Sequence, residues 1–328
     1  MKELILDGNS LDLTAVKDWA YDNGNLSLKI SEEAKKRIRA SREFVESLAQ
    51  GESAIYGVNT GFGLLSDVKI APEKLAKLQV NLIRSHAVGV GNPLSIPEAR
   101  AAMLLRTNTL AKGHSGASLE LLEHLVRVQN AGIVPWIPEQ GSVGACGDLA
   151  PLAHMALVLI GEGRCYFRGK LCNSIDALKE AGIQPYSLGA KEGLSLINGT
   201  QVMTAIGALV LAEGLELAKL ADIAGALSLE AFRGTSAAFH PAIHAVRPHS
   251  EQSDVAHNLR MLLVNSGIAE SHKDCGKVQD PYSFRCMPQV HGASRRFLKN
   301  CIAVLETEMN SATDNPLVFL PGDGSSSK

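Results

Sequence analysis

The chain has 328 residues, of which 45% are hydrophobic and 20% charged, and its formal net charge is −2. Such a composition predicts a globular protein of one or two domains, and the near-neutral charge gives no electrostatic case for binding nucleic acid or a membrane surface. The six cysteines show no CxxC or Cys/His metal spacing, and no signal peptide is predicted, so we expect reduced thiols and a cytoplasmic location. No apolar run is expected to span a bilayer, because the best candidate, residues 202–232, carries several charged side chains.

The predicted elements are mainly helical, since aromatic residues make up only 5% of the chain and alanine and leucine are abundant. In chain order they are a short strand at residues 4–8, a helix from Ser31 to Gly51, helices beginning at Pro72 and Pro97, a helix over 119–129, a hairpin over 164–172 around Arg168-Gly169, a helix just before Ile197, and long helices over 203–232 and 292–311. The 203–232 helix would be roughly 45 Å long, which is typical of a bundle.

A glycine-rich loop is predicted at residues 56–63, Tyr-Gly-Val-Asn-Thr-Gly-Phe-Gly, because that composition suits neither a helix nor a central strand. Loops of this kind often carry functional residues, although a single tyrosine in one is more often a packing residue.

A second glycine-rich stretch, residues 141–154, leads directly into an apolar helical run. Asp148 is a candidate N-cap, and Pro151 suits the first turn of the helix that follows. A helix N-terminus favours developing negative charge. A phosphate site is disfavoured here, because no lysine follows the glycines and the spacing is not the dinucleotide fingerprint.

The 141–154 stretch resembles the signature of the aromatic amino acid ammonia-lyases, in which Ala-Ser-Gly cyclises to a methylidene-imidazolone (MIO) electrophile. The resemblance implies that Ala145, Cys146 and Gly147 form this prosthetic group, with no diffusible cofactor and no metal. The backbone nitrogen of Gly147 would attack the carbonyl carbon of Ala145, and Cys146 would lose its side-chain sulfur. Cys146 stands where the family carries serine. Elimination of hydrogen sulfide would give the same ring, and a stalled reaction would leave a free thiol.

Four further stretches match the family in the same order. The resemblance implies that Tyr56 is the base that removes the β-proton of the substrate, and that Asn198 contacts the substrate carboxylate and the ring. In the Gln-Asp-Pro-Tyr-Ser-Phe-Arg stretch it implies that Arg285 clamps the carboxylate. Gln279 and Tyr282 match neighbours of the ring, Gln279 as a substrate-binding residue and Tyr282 as a catalytic one. A planar guanidinium suits bidentate binding of a carboxylate.

The Ser85-His86 pair resembles the substrate-selecting pair of the histidine lyases. His86 could exchange a hydrogen bond with an imidazole but would be unpaired against a phenyl ring. The implied reaction is therefore elimination of ammonia from L-histidine to give urocanate. Two alternatives stay open: a tyrosine or phenylalanine lyase or aminomutase, and a catalytically silent fragment.

The resemblance also implies a mainly α fold, with a small N-terminal domain (residues 1–200) followed by the first part of a long central helical bundle (residues 201–328). It implies a homotetramer whose active sites are lined by several subunits. The Gly/Ser-rich tail, residues 321–328, has a flexible loop composition and precedes the position of the family's remaining bundle helices. We therefore expect the isolated chain either to aggregate or to need a second polypeptide that carries those helices as a further partner.

Overall fold

The structure, a computed structural model, describes residues 2–63, 66–144 and 147–322. Ala145 and Cys146 lie outside the described residues, and so do residues 323–328 of the predicted flexible tail. The chain divides into two compact units: unit 1 comprises the described residues of Met1–Leu209 and Leu305–Lys328, and unit 2 comprises Val210–Val304. The domain boundary inferred at residue 200 stays a prediction.

Unit 1 combines helices with short strands. Its elements are β1 (Lys2–Leu6), α1 (Leu13–Ala20), β2 (Leu26–Ile30), α2 (Glu32–Gln50), α3 (Pro72–His86), β3 (Val90–Pro93), α4 (Ile96–Ala111), α5 (Leu119–Asn130), β4 (Val134–Pro135), β5 (Pro138–Gln140), α6 (Leu149–Leu159), β6 (Arg164–Phe167), β7 (Lys170–Asn173), α7 (Ser174–Glu180), α8 (Glu192–Ile197) and the start of α9 (Gln201–Ala231). Strands β1 and β2 pair in parallel, β3 pairs with β5, and β4, β6 and β7 form an antiparallel sheet in that order.

Helix α4 lies at the centre of unit 1. A reciprocal capping box between Ser95 and Glu98 begins it, and Pro97 occupies its first turn. From Ala101 to Ala111 every residue is buried, including Arg106, Thr107 and Asn108. A helix that is buried on all sides is a core helix, so its polar residues must find partners within the unit.

Unit 2 is helical throughout its described elements. They are most of α9, a 3-10 turn (Ser236–Phe239), α10 (Pro241–Ala245), α11 (Ser250–Leu262), α12 (Gly267–Ser271), α13 (Tyr282–Arg285) and most of α14 (Met287–Met309). One hydrophobic cluster in its core contains Ala226, Leu229, Phe239, Val255, Ala256, Leu259 and Met287. The fold is thus mainly α, as predicted.

A buried carboxylate interrupts the apolar character of α9 within unit 2. Asp222 has no exposed surface, and it accepts hydrogen bonds from His291 Nδ1 at 2.8 Å, Arg295 Nη2 at 2.6 Å and Asn258 Nδ2 at 2.8 Å. Burial alone would raise the pKa of Asp222, but the bonds from His291 and Asn258 and the charge of Arg295 lower it. Asp222 is therefore a satisfied buried anion.

Most predicted elements are confirmed where local signals mark them. Helix α2 begins after Ser31, whose hydroxyl accepts from the Ala34 N–H, and it ends at Gly51. The β6–β7 hairpin turns at Arg168-Gly169. The predicted start of the last long helix at Gly292 was wrong, because α14 already begins at Met287. A Cβ at Gly292 would lie 2.7 Å from the Gln252 backbone, so this glycine permits close packing against α11.

One apolar stretch differs from its prediction. Over the described part of the chain, Glu192–Ala231 is the stretch that is long and apolar enough, by length and composition alone, to cross a membrane. The expectation that no run is both long and charge-free enough to span a bilayer was therefore wrong on that criterion. Of its most apolar window, 67% is buried within the protein, as is usual for the core helix of a globular protein.

Candidate functional site

The described residues on either side of the signature alanine and cysteine face each other. Gly144 and Gly147 form an isolated antiparallel bridge, and the Gly147 N–H lies 3.4 Å from the Gly144 carbonyl oxygen. Gly147 has φ +94°, a left-handed conformation that glycine adopts without steric cost. The backbone therefore brings the two ends of the Ala145-Cys146 segment together.

Gly147 also packs directly against the turn at residues 198–200. A Cβ on Gly147 would lie 2.6 Å from the Gly199 carbonyl oxygen and 2.8 Å from the Gly199 nitrogen. The next N–H, that of Asp148, donates to the same Gly199 carbonyl at 2.7 Å. Two backbone segments thus meet with no room for a side chain between them.

Asp148 occupies the N-cap position of α6, but its side chain makes no capping bond there. Its Oδ2 instead accepts from the Val202 and Met203 N–H groups, both at 2.9 Å, and its Oδ1 accepts from Ser142 Oγ at 2.6 Å. The expectation that Asp148 caps α6 was therefore wrong. The carboxylate caps the first turn of α9, because the 198–200 turn brings those free N–H groups within reach.

We expect Asp148→Ala to lower the free energy of unfolding by about 1–3 kcal/mol, because it leaves the buried Val202 N–H and the part-buried Met203 N–H without their charged acceptor. Urea unfolding followed by tryptophan fluorescence measures the loss. Ser142→Ala is the matched control, since it removes one bond to Asp148 but keeps the carboxylate at α9. Equal midpoints for Asp148→Ala and the unaltered protein would contradict the capping role.

His86 ends α3 with a defined ring orientation. Its Nδ1 lies 2.9 Å from the Leu82 carbonyl oxygen, and Ser85 Oγ donates to the same oxygen. A carbonyl only accepts, so this Nδ1 carries the proton. In the neutral ring Nε2 is then an acceptor, suited to the N–H of another imidazole.

The segment after His86 packs against the signature stretch. The Gly89 N–H donates to His154 Nε2 at 3.1 Å, and a Cβ on Gly141 would lie 3.1 Å from Gly89 Cα. Burial lowers the pKa of His154, which keeps the ring neutral and able to accept this bond. Residues 86–89 and both sides of the signature are thus assembled within unit 1.

The Tyr56 loop contacts the same part of unit 1 through Gly57. Tyr56 is 41% exposed and packs edge-on against Phe62, with ring centroids 6.1 Å apart. A Cβ on Gly57 would lie 3.0 Å from Pro316 Cδ. The neighbouring Asn315 N–H donates to Asn198 Oδ1 at 2.9 Å. The 315–316 segment therefore links the Tyr56 loop to the 198–200 turn, a link that the sequence analysis did not anticipate.

The remaining predicted residues, Gln279, Tyr282 and Arg285, lie together in unit 2. They line one groove of about 420 Å³. The Arg285 guanidinium lies 5.2 Å from the centroid of the Tyr282 ring, and its Nε donates to the Asp280 carbonyl at 2.9 Å. That backbone bond uses Nε alone, and a guanidinium has two further nitrogens with which to bind a carboxylate. The roles of these residues stay predictions.

Buried charges behind the 198–200 turn were also missed. Lys191 Nζ lies 3.7 Å from Asp314 Oδ2, and both side chains are 1% exposed. Burial lowers the pKa of Lys191 to about 8. Arg106 is fully buried nearby. The only signal in the sequence for these buried charges was an arginine inside the apolar pattern of α4. No three His, Cys, Asp or Glu side chains among the described residues are placed to hold a metal.

Comparisons with known proteins agree with this architecture. A family model described as aromatic amino acid lyase matches residues 11–327. Histidine ammonia-lyases of Myxococcus xanthus and Koribacter versatilis are each 52% identical, over 96% and 97% of this chain. The chain covers 62% and 61% of those relatives, so it spans about three-fifths of their length.

Two solved structures are similar over nearly the whole chain. Histidine ammonia-lyase from Trypanosoma cruzi has a TM-score of 0.87 at 44% identity, covering 97% of this chain and 58% of that one. Tyrosine aminomutase from Streptomyces globisporus has a TM-score of 0.90 at 40% identity, covering 99% of this chain and 64% of that one. Because the family model matches almost the full length of this chain, the chain belongs to the aromatic amino acid lyase family.

Proposed function

We propose that this chain carries the signature part of a histidine ammonia-lyase, a carbon–nitrogen lyase that eliminates ammonia from L-histidine to give urocanate. The observation that carries the proposal is the closed backbone around Gly144 and Gly147, held against Gly199 beside the start of α6. The relatives named as histidine ammonia-lyases support the choice of substrate.

The residues that flank Ala145 and Cys146 fit an MIO group formed from Ala145, Cys146 and Gly147. A residue with a side chain would not fit at position 147, and the first N–H groups of α6 provide a positive helix end next to it. Closing the ring releases one water, and removing the Cys146 sulfur releases one hydrogen sulfide. Once formed, the group supplies an electrophile for the amino group of the substrate.

Residues of the matched motifs would bind and orient the substrate, in a site that the resemblance implies is lined by several subunits. Arg285 suits the carboxylate because its guanidinium is half-buried and held by one backbone bond. The Asn198 Oδ1 atom accepts from the Asn315 N–H at 2.9 Å, which fixes the orientation of that side chain. Tyr56 is partly exposed and close to Phe62, and it is the group proposed to take the β-proton.

The first test is the mass of the peptide released by cleavage after Arg127 and Arg164, measured on the protein expressed from its complete reading frame. We expect that peptide to be lighter than its sequence by one water and one hydrogen sulfide. An unmodified mass, with Cys146 titrating as a free thiol, would show a silent signature and overturn the proposal.

The second test is the product. Incubated separately with L-histidine, L-tyrosine and L-phenylalanine, the protein is expected to develop the absorbance of urocanate only. The structural similarity to a tyrosine aminomutase makes β-tyrosine the specific alternative product. Formation of β-tyrosine or an aryl acrylate in place of urocanate would assign the chain to another member of the family.

His86 should determine the choice between substrates. We expect His86→Leu to reduce kcat/KM for histidine about ten- to a hundredfold, because an unpaired buried imidazole N–H costs about 1–3 kcal/mol. Turnover of phenylalanine should rise relative to histidine. Ser85→Ala tests the other member of the pair, because it removes that hydroxyl and keeps the imidazole ring. An unchanged ratio of the histidine and phenylalanine rates would rule out this role.

We also propose that unit 2 assembles with further copies of the protein as a homotetramer. Val290, Phe297 and Val304 of α14 are 56–69% exposed and recur every seven residues, so they share one helix face. On α9, four more exposed apolar residues form a similar stripe: Val210, Leu217, Leu220 and Leu227. Light scattering of the purified protein tests the assembly. A monodisperse monomer would contradict the homotetramer. A second polypeptide in the complex would instead favour a partner that carries the remaining bundle helices.

A further inference from the structure

Arg106 is a fully buried charge in the middle of α4. A buried guanidinium is costly unless its donors are satisfied, so its partners indicate what it is retained for. Burial lowers the pKa of Arg106 to about 10, and the charge of Asp314 opposes that shift, so the group stays charged near neutrality.

The two terminal nitrogens of Arg106 bond to different helices. Its Nη2 donates to the Ser195 carbonyl in α8, and its Nη1 donates to Gln201 Oε1 in α9 at 2.6 Å. These helices flank the 198–200 turn. Gln201 is itself held, because its Nε2 donates to Thr109 Oγ1 and Thr313 Oγ1. One planar group thus bridges the end of one helix and the start of the next.

Gly199 is in close contact with the Arg106 guanidinium. A Cβ at position 199 would overlap Arg106 Nη1 and Gln201 Oε1. The opposite side of Gly199 faces the signature, since its carbonyl accepts from the Asp148 N–H and lies against Gly147. Gly199 is therefore packed against both Arg106 and Gly147, so we expect a shift of Arg106 to reach Gly147 through Gly199.

We propose that Arg106 is a positioning residue, which holds the 198–200 turn against Gly147 and so sets the backbone geometry in which the signature closes into a ring. The inference rests on the proposed function. Ring closure joins a backbone nitrogen to a carbonyl carbon two residues away, and such reactions depend steeply on the alignment of the two atoms. A lysine has no fork to reach both Ser195 and Gln201.

The test compares Arg106→Lys and Arg106→Met with Arg100→Lys. Arg100 is the matched control because it lies on the same helix and donates to a backbone carbonyl, that of Asp22, at 2.7 Å. The measured quantity is the fraction of the 128–164 peptide that has lost water and hydrogen sulfide, in soluble protein after equal times. We expect ring formation to be slower by about tenfold or more in the Arg106 variants. In Arg100→Lys we expect it to proceed at the normal rate.

The urea midpoint of each variant separates positioning from stability. Normal ring formation in Arg106→Lys together with a lowered midpoint would overturn the inference, since the residue would then only stabilise the fold. If Arg106→Met is insoluble, Gln201→Met replaces that variant, because it removes one acceptor of the guanidinium and keeps Arg106 itself. Normal ring formation in both Gln201→Met and Arg106→Lys would again overturn the inference. An unaltered protein without a ring would instead refute the proposed function, and this inference with it.

Discussion

Replacing Gly147 by alanine is expected to abolish ring closure and to lower turnover about a hundredfold or more. Two independent effects act at this position. The backbone has φ +94°, which an alanine adopts only with strain. The new Cβ would also lie 2.6 Å from the Gly199 carbonyl oxygen, so the turn that carries Asn198 would have to move.

Gly132→Ala isolates the first effect from the second. Gly132 also has a positive φ, +73°, but nothing lies within 4 Å of the position of its Cβ. We expect Gly132→Ala to cost some stability through strain and to form the ring normally. The peptide mass and urocanate formation are measured on both variants. A fully cyclised peptide in Gly147→Ala would show that the contact with Gly199 does not govern the chemistry.

Asp314→Ala is expected to lower the free energy of unfolding by about 3–5 kcal/mol, because it leaves the Lys191 ammonium buried without its counter-charge. The ammonium would keep a bond to the Ser115 carbonyl at 2.7 Å, and Ser115 Oγ would lose the Asp314 Oδ1 acceptor at 3.0 Å. Urea unfolding measures the effect.

The double variant Lys191→Met with Asp314→Leu provides the comparison for that measurement. Apolar pairs of similar volume often replace buried ion pairs without loss, so we expect most of the stability to return. A double variant as unstable as Asp314→Ala would indicate that packing at these positions, rather than the unpaired charge, sets the cost.

The pH dependence of stability gives the same pair a second readout. The pKa of Lys191 is lowered to about 8 in the folded protein, so between about pH 8 and the ordinary lysine value of 10.5 the unfolded chain binds more protons. Stability attributable to Lys191 therefore rises with pH across that window and is constant below it. Asp314 and Arg106 are the charged groups that act on it. The rise should be absent from Lys191→Met.

Local signals in the sequence were sufficient for the helices that carry their own start and stop residues. Ser31 and Gly51 bound α2, Pro72 begins α3, and Arg168-Gly169 turns the β6–β7 hairpin. These features depend on bonds between residues that are close in the chain. The family motifs likewise identified the stretches that unit 1 brings together.

Interactions between distant segments could not be obtained in the same way. Asp148 has the sequence signature of a cap for the helix that follows it, yet its carboxylate binds N–H groups that are 54 and 55 residues further along. Arg106 bonds across 89 and 95 residues. Which buried donor meets which acceptor is decided by the packed backbone, and a propensity pattern does not encode it.

The three donors around Asp222 select one register in which α9, α11 and α14 pack in unit 2. Apolar helix faces can slide past one another with small changes in buried area, so α9, α11 and α14 could pair in several registers. A slip of one residue would take Asp222 away from Asn258, His291 and Arg295 and leave a buried anion beside unpaired donors. The carboxylate thus acts against misaligned pairings, as a single polar residue does in the seam of a coiled coil.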